Sequence, residues 1–227
     1  MNWQDKGFLL SKNKYNENST IAEIFTENHG KVSGLIFGST SKKIKNYLLI
    51  GNNFHINYNS KNVNKIGYFN IEINNLNTPK FLDSKKKLSC LVYCMNIIKI
   101  LTVENQENKL IYSSINNFFQ ILQEEFWQKK FLLWELDFFK NIGYDINFND
   151  YVSKKNINGN DNYIVKSTSF DKIIPKFLIE KNSKPIDEND LLIGFKLVGD
   201  FLDKTILKPN NINFPTSRID FLSQIKQ

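Results

Sequence analysis

The sequence predicts an α+β protein. A small closed barrel of five strands fills residues 1–78, and a helical domain fills residues 79–227. Three observations carry this. Five short runs of partly alternating apolar and polar residues come first, parted by Asn/Gly/Ser/Lys turns. Beyond Thr78-Pro79 the apolar spacing changes from two to three or four. The composition, 41% hydrophobic with 14% aromatic, suits a packed core rather than a disordered chain.

The strands are expected in GFLLSKNKY, STIAEIFTE, KVSGLIFG, NNFHINYNS and KIGYFNIEINNL. In FHINYN the alternating set is Phe54, Ile56 and Tyr58; in GYFNIEI it is Phe69, Ile71 and Ile73. Five such strands in so short a span fit a barrel better than a sandwich. Three glycines, Gly30, Gly34 and Gly38, punctuate strand three: a turn before it, a bend or bulge within it and a stop after it.

A first helix presents Leu88, Leu91, Val92, Met95, Ile98 and Leu101, and a second presents Ile111, Ile115, Phe118, Phe119 and Leu122. A third, Phe126 to Ile142, is apolar nearly all round and ends at Gly143, as a buried helix with a glycine stop does. Residues 145–185 are mixed and polar, with VSKKNINGNDNYIV reading as a hairpin or insert. A fourth helix, Leu191 to Leu207, carries Leu192, Phe195, Val198, Phe201 and Leu202, and a short last helix follows Pro215.

The N-terminus lacks a basic flank and long apolar run, and no apolar stretch approaches the roughly 18 residues of a membrane span, so a soluble cytoplasmic protein is expected. Cys90 and Cys94 are the only cysteines. Four apart, they fit half of a zinc site or a core-facing stripe of small residues; the stripe is preferred, because a structural site needs four ligands and His29 and His55 lie far upstream.

Net charge is +7, with 29 lysines and one arginine. Residues 1–78 hold nine lysines against Asp5, Glu17, Glu23, Glu27 and Glu72, making the barrel the more basic half per residue. After Gly38 come Ser39, Thr40, Ser41, Lys42, Lys43 and Lys45. Hydroxyls and ammonium groups suit phosphate oxygens, so this stretch reads as a phosphate-binding loop; a plain solvated loop is the competing reading. Lys12 and Lys14 end strand one, Lys31 starts strand three, and Lys61 and Lys65 lie between strands four and five. Tyr15, Tyr58 and Tyr68 are candidates for stacking on bases, though Tyr58 fits the barrel core equally and Phe69 reads as core.

The run WQDKGFLLSKNKYNENSTIAEIFTENHGKVSGLIFGSTSKK resembles the N-terminus of RecO, the bacterial recombination mediators. LLWELDFFKNIGYDINF resembles that family's central helix and following turn, and DLLIGFKLVGDFL with FPTSRIDFL its C-terminal helices. The resemblance runs to about residue 222. It implies an N-terminal OB-fold and a helical C-terminal domain, and a protein that binds single- and double-stranded DNA and anneals complementary strands. Such a protein works with RecR and single-strand-binding protein to load RecA, and is not an enzyme. It further implies that the helical domain holds the acidic, phenylalanine-ended tail of single-strand-binding protein. Phe126, Trp127, Lys129 and Lys130 offer an apolar pocket with a cationic rim for it, or simply pack the helix. Many members carry a four-cysteine zinc module; the matching stretch here, roughly 150–175, has no cysteine, as in an alphaproteobacterial-like form, so no metal or other cofactor is expected.

Two rivals remain. A metal-dependent nuclease needs clustered carboxylates. Glu124-Glu125, Glu135/Asp137 and Asp187 to Asp190 are the candidates, yet residues two apart on a helix do not face each other, and acids before a helix cap it. An RNA-binding OB protein of translation would show the same barrel. Arg218 is read as a buried ion-pair partner rather than a DNA contact.

Overall fold

The computed structural model describes residues 1–61, 65–150, 152–157, 160–165, 172–183 and 187–226. The chain forms two compact units: residues 1–116 with 215–225, and residues 117–214.

In the first unit, β1 (Asn2–Lys14), β2 (Ser19–Thr26), β3 (Gly30–Phe37), β4 (Asn53–Asn59) and β5 (Gly67–Asn75) close into a barrel. Its strand order is β1-β2-β3-β5-β4, with β4 returning to β1 and a short parallel pairing of β3 with β5. This is OB topology. The core holds Leu9, Ala22, Ile24, Val32, Ile36, Phe54, Ile56 and Phe69. These are the inward positions of period-two strands.

Register slips at Leu9/Ser11 in β1 and at Asn53/Phe54 between β4 and β5, not in β3. Strand three therefore carries no bulge at Gly34. That glycine admits the Phe69 ring, which a Cβ would meet at 2.5 Å. Gly30 and Gly38 both have φ +68°, and Gly30 lies against the Gln106 carbonyl, 1.9 Å from where a Cβ would stand.

The stretch expected as a loop after Gly38 is a turn followed by a short helix, α1 (Lys42–Tyr47), N-capped by Ser41. Ile44 and Tyr47 pack on the barrel core, which is what folds the segment. A turn over 48–52 then leads to β4. Thr78 and Asn77 bind it: the Thr78 amide donates to Asn52 Oδ1 and Asn77 Nδ2 donates to the Gly51 carbonyl.

α2 (Lys85–Leu101) buries Cys90, Leu91, Tyr93, Cys94, Met95, Ile97 and Ile98. Val92, expected on the buried stripe, is 44% exposed, while both cysteines are fully buried as core residues. α2 packs against β1 and against the last helix. Arg218 of that helix is fully buried; its guanidinium donates to the Tyr93 hydroxyl and sits 5.0 Å from the Tyr93 ring centroid. Asn96 Nδ2 donates to Ser217 Oγ across the same seam, at 2.9 Å.

α3 (Lys109–Gln123) buries Ile111, Ile115, Phe118, Phe119 and Leu122, the predicted set. The division between units falls within it. In the second unit, α4 (Trp127–Asn141) brings Phe131, Trp134 and Phe138 into an aromatic stack, with Trp134 and Phe138 nearly parallel at 5.5 Å. Gly143 ends this helix with φ +97°. The unit is not purely helical. It contains an antiparallel sheet of β6 (Ser153–Ile157), β7 (Asn160–Val165) and β8 (Lys172–Ile174). The hairpin expected from VSKKNINGNDNYIV is β6–β7; parts of the expected 150–185 insert lie outside the described residues.

α5 (Lys176–Ile179) follows, then α6 (Glu188–Phe201), whose amide at Asp190 donates to the Asp187 cap. α6 continues into a π-helical stretch, Leu202–Leu207. α7 (Thr216–Ile225) returns the chain to the first unit. Among the described residues no helix is long and apolar enough to cross a membrane.

Candidate nucleic-acid interface

Hydrogen bonds and strand pairing gather five of the expected lysines at one end of the barrel. Lys14 pairs with Thr20 across β1–β2, and the Thr20 hydroxyl lies 2.7 Å from that of Ser39. Lys12 Nζ donates to the Leu48 carbonyl, at 2.5 Å, just beyond the end of α1. Partial burial lowers the pKa of Lys12, and the nearby Lys45 lowers it further. Two ammonium groups are thus held close, and among the described residues neither forms a salt bridge with a carboxylate. Lys42, Lys43 and Lys45 are exposed along α1. Thr40 is exposed and donates to Asn18 Oδ1 in the β1–β2 turn, bringing that turn to the same rim.

The remaining candidates divide. Lys61 and Lys65 are exposed between β4 and β5, with 62–64 between them outside the described residues. Ser39 is buried, held by Thr20, and serves the turn rather than a ligand. Ser41 caps α1 through its side chain.

Lys31 is buried, with 9% of its surface exposed, and donates to the Lys99 carbonyl at 2.7 Å. Burial lowers its pKa, as does Lys99, against the opposing pull of Glu23 and Glu104. It fastens β3 to the end of α2 and is not part of an open face. Glu23 completes that fastening with a 2.6 Å ion pair to Lys99 and a hydrogen bond from Ser11.

Tyr58 is also removed from the stacking candidates. It packs against the core, stacks on Trp3 at 4.8 Å, and its hydroxyl accepts from the Gly67 amide. Trp3 in turn lies flat on His29 at 4.0 Å, and Asp5 accepts from His29 Nδ1, from Asn28 and from the Lys6 amide. This group closes the opposite end of the barrel. Tyr15 and Tyr68 remain accessible, Tyr15 with 59% exposed.

Sequence reasoning missed Phe37. It ends β3, is 55% exposed, and lies 5.8 Å from the Tyr68 ring. The signal was present: Val32, Gly34 and Ile36 face inward, so period two turns Ser33, Leu35 and Phe37 outward.

In the second unit the expected partner site does not assemble. Trp127 is buried at 4% and meets Phe131, because it starts α4 on the core side, while Phe126, one residue earlier, is 78% exposed. Lys129 Nζ donates to the Lys181 and Ser183 carbonyls, both at 2.6 Å, and Lys130 pairs with Glu124. Both ammonium groups are therefore engaged within the unit.

The carboxylate candidates are separated too. Glu135 is buried and Asp137 exposed. Among the described residues no three His, Cys, Asp or Glu side chains are grouped to hold a metal ion.

A closed barrel of OB topology with a lysine-rich rim, accessible aromatic rings and a helical extension defines a structural class, the OB-fold proteins. Within that class, residues 1–75 match the family model described as Recombination protein O N terminal. The whole chain is 24% identical to DNA repair protein RecO of Bartonella henselae, covering 93% of it. It is 22% identical to DNA repair protein RecO of Rhodospirillum centenum, covering 96% of it. Over 74% of the chain it is 28% identical to DNA repair protein RecO of Ehrlichia chaffeensis, covering 68% of that protein. Residues 1–75 thus match the N-terminal family model, and the chain over its whole length is similar to proteins named DNA repair protein RecO.

Proposed function

We propose that this protein is a DNA-binding recombination mediator acting in DNA repair. It binds single and double strands through the barrel rim, anneals complementary strands, and with RecR and single-strand-binding protein promotes loading of RecA. It breaks no covalent bond, needs no cofactor, and works in the cytoplasm on the nucleoid. The observation that carries the reading is the convergence of Lys12, Lys14, Lys42, Lys43 and Lys45 at one barrel end. Lysines held together in this way favour a polyanion, because each phosphate neutralised releases counterions.

Lys61, Lys65, Thr40 and Tyr68 belong to the same proposed surface. Of the expected partner-binding residues, Phe126 alone keeps an open apolar ring for the tail of single-strand-binding protein. The likeness to proteins named DNA repair protein RecO supports DNA repair over a role in translation.

The test is annealing of two complementary fluorescent oligonucleotides, without ATP or metal, over a salt series. Wild type is run beside the Lys42→Ala/Lys43→Ala/Lys45→Ala triple variant. Fast, salt-sensitive annealing that the variant loses is expected. Annealing unchanged in the variant removes α1 from the site. A folded wild type that anneals at no salt concentration refutes the mediator reading and favours the RNA-binding one.

A further inference from the structure

We infer that Phe37 and Tyr68 form a base-stacking platform that makes the barrel prefer single-stranded over duplex DNA; this rests on the DNA-binding reading above.

The outer face of β2–β3 divides in two. Its lower half, at Glu23, Phe25, Lys31 and Ser33, is covered: Lys31 and Glu23 bind Lys99, and the Ser33 hydroxyl donates to Glu104. In its upper half Ser19 is buried, Ile21 and Leu35 are half-buried, and Phe37 is exposed. Ile21 lies opposite Leu35, and Ser19 lies opposite Phe37. Leu35 pairs in parallel with Tyr68, whose ring meets Phe37 at 5.8 Å and 52°. The result is a shelf of Ile21, Leu35, Phe37 and Tyr68 whose most exposed member is a phenylalanine, at 55%.

The surroundings of the shelf select its occupant. On one side, Phe37 runs through Gly38 into the lysine rim of α1. On the other, Tyr68 follows Lys65 by three residues. An aromatic shelf between two groups of lysines complements a chain of alternating flat rings and phosphates. Bases of a single strand are free to lie on such rings; in a duplex they are stacked on one another and shielded. Phosphate contacts alone do not make that distinction, because both forms offer phosphates. The aromatic pair therefore supplies strand selectivity, and the lysines supply affinity common to both forms.

The inference is tested by fluorescence anisotropy with a labelled oligothymidylate and a labelled duplex of equal length, each over a salt series. The proteins are wild type, Phe37→Ala, Tyr68→Ala and Phe37→Trp. Phe37 is largely exposed, so its truncation leaves the core intact, and circular dichroism checks this for each variant. Phe37→Ala is expected to weaken single-strand binding by about five- to a hundredfold with the salt slope unchanged, and to leave duplex binding within about twofold. Phe37→Trp retains wild-type single-strand binding. Equal losses for both DNA forms, or no loss for either, overturn the platform while leaving the lysine site standing. Wild-type protein that binds neither form overturns the DNA-binding reading and the platform with it.

Discussion

Replacing Gly30 by alanine isolates what a single close approach contributes to the first unit. Gly30 and Gly38 share the same φ, +68°, at the two ends of β3. At Gly38 an added Cβ finds only Ile44 Cδ1, at 3.9 Å, which is ordinary contact. At Gly30 it meets the Gln106 carbonyl oxygen at 1.9 Å and its carbon at 2.5 Å. These are backbone atoms, and they cannot rotate away. Gly38→Ala therefore carries the left-handed backbone cost alone, about 1–2 kcal/mol. Gly30→Ala carries that and the displacement of the segment after α2, adding about 1–3 kcal/mol for overpacking. The displaced segment includes Asn105, whose amide donates to the Lys31 carbonyl, and Glu104, so part of the fastening of β3 is lost as well. Urea unfolding of wild type and both variants, followed by far-ultraviolet circular dichroism, measures the difference. Gly30→Ala is expected to be the less stable by more than about 1 kcal/mol. If the two variants agree within about 0.5 kcal/mol, the segment yields freely and the close approach is not a constraint.

Three further outcomes follow from the same geometry. Burial alone would raise the Asp5 pKa, but hydrogen bonds from His29, Asn28 and the Lys6 amide outweigh it; Glu23 is likewise brought low by Lys99 and Ser11 against burial. Both folded pKa values lie below the unfolded ones, so their stabilisation is complete above the ordinary values, 3.8 and 4.5, and is lost as pH falls through the lower folded values. Unfolding free energies should drop below about pH 4, and Asp5→Asn should flatten that drop while costing about 1–3 kcal/mol at neutral pH. Lys85 opens α2 in a first turn that contains no acid, so Lys85→Glu should raise stability by about 0.3–1 kcal/mol, seen as a higher midpoint in thermal melts. Arg218→Ala removes a fully buried side chain bonded to Tyr93 and should cost at least about 3 kcal/mol in urea unfolding; a loss under about 1 kcal/mol would show that α7 does not depend on it.

Most of this architecture is legible in local periodicity. The α3 stripe is right at every position, since one face of that helix is buried and 3.6-residue spacing describes one face. The α2 stripe misplaces Val92 because α2 packs against both β1 and α7, a wider burial that takes in Cys90, Tyr93, Cys94 and Ile97. Neither neighbour is adjacent to α2 in sequence. α1 was hidden by its lysines, although Ser41 followed by Ile44 and Tyr47 is a capped turn with apolar spacing of three. The second sheet shows only as one hairpin, because polar β6 and β7 lack the alternation that marks a half-buried strand.

The candidate site was legible in composition more than in position. Lys31 and Phe37 stand on the same outward face of β3, six residues apart, and sequence parity treats them alike. What separates them is cover supplied by Lys99 and Glu104, about seventy residues downstream, which buries the lysine and stops short of the phenylalanine. Residue type points the lysine to the ligand and says nothing of the phenylalanine, and the structure inverts that order: Lys31 is buried and Phe37 is exposed. The inversion bears on how such a barrel divides its labour. The part of the β2–β3 face nearest α2 is used to hold the fold together with ion pairs, and the part furthest from it keeps aromatic surface exposed at the cost of apolar hydration. Exposed rings kept beside exposed lysines are what a single strand needs from one surface, and Phe37→Ala, which alters one without touching the other, separates the two contributions.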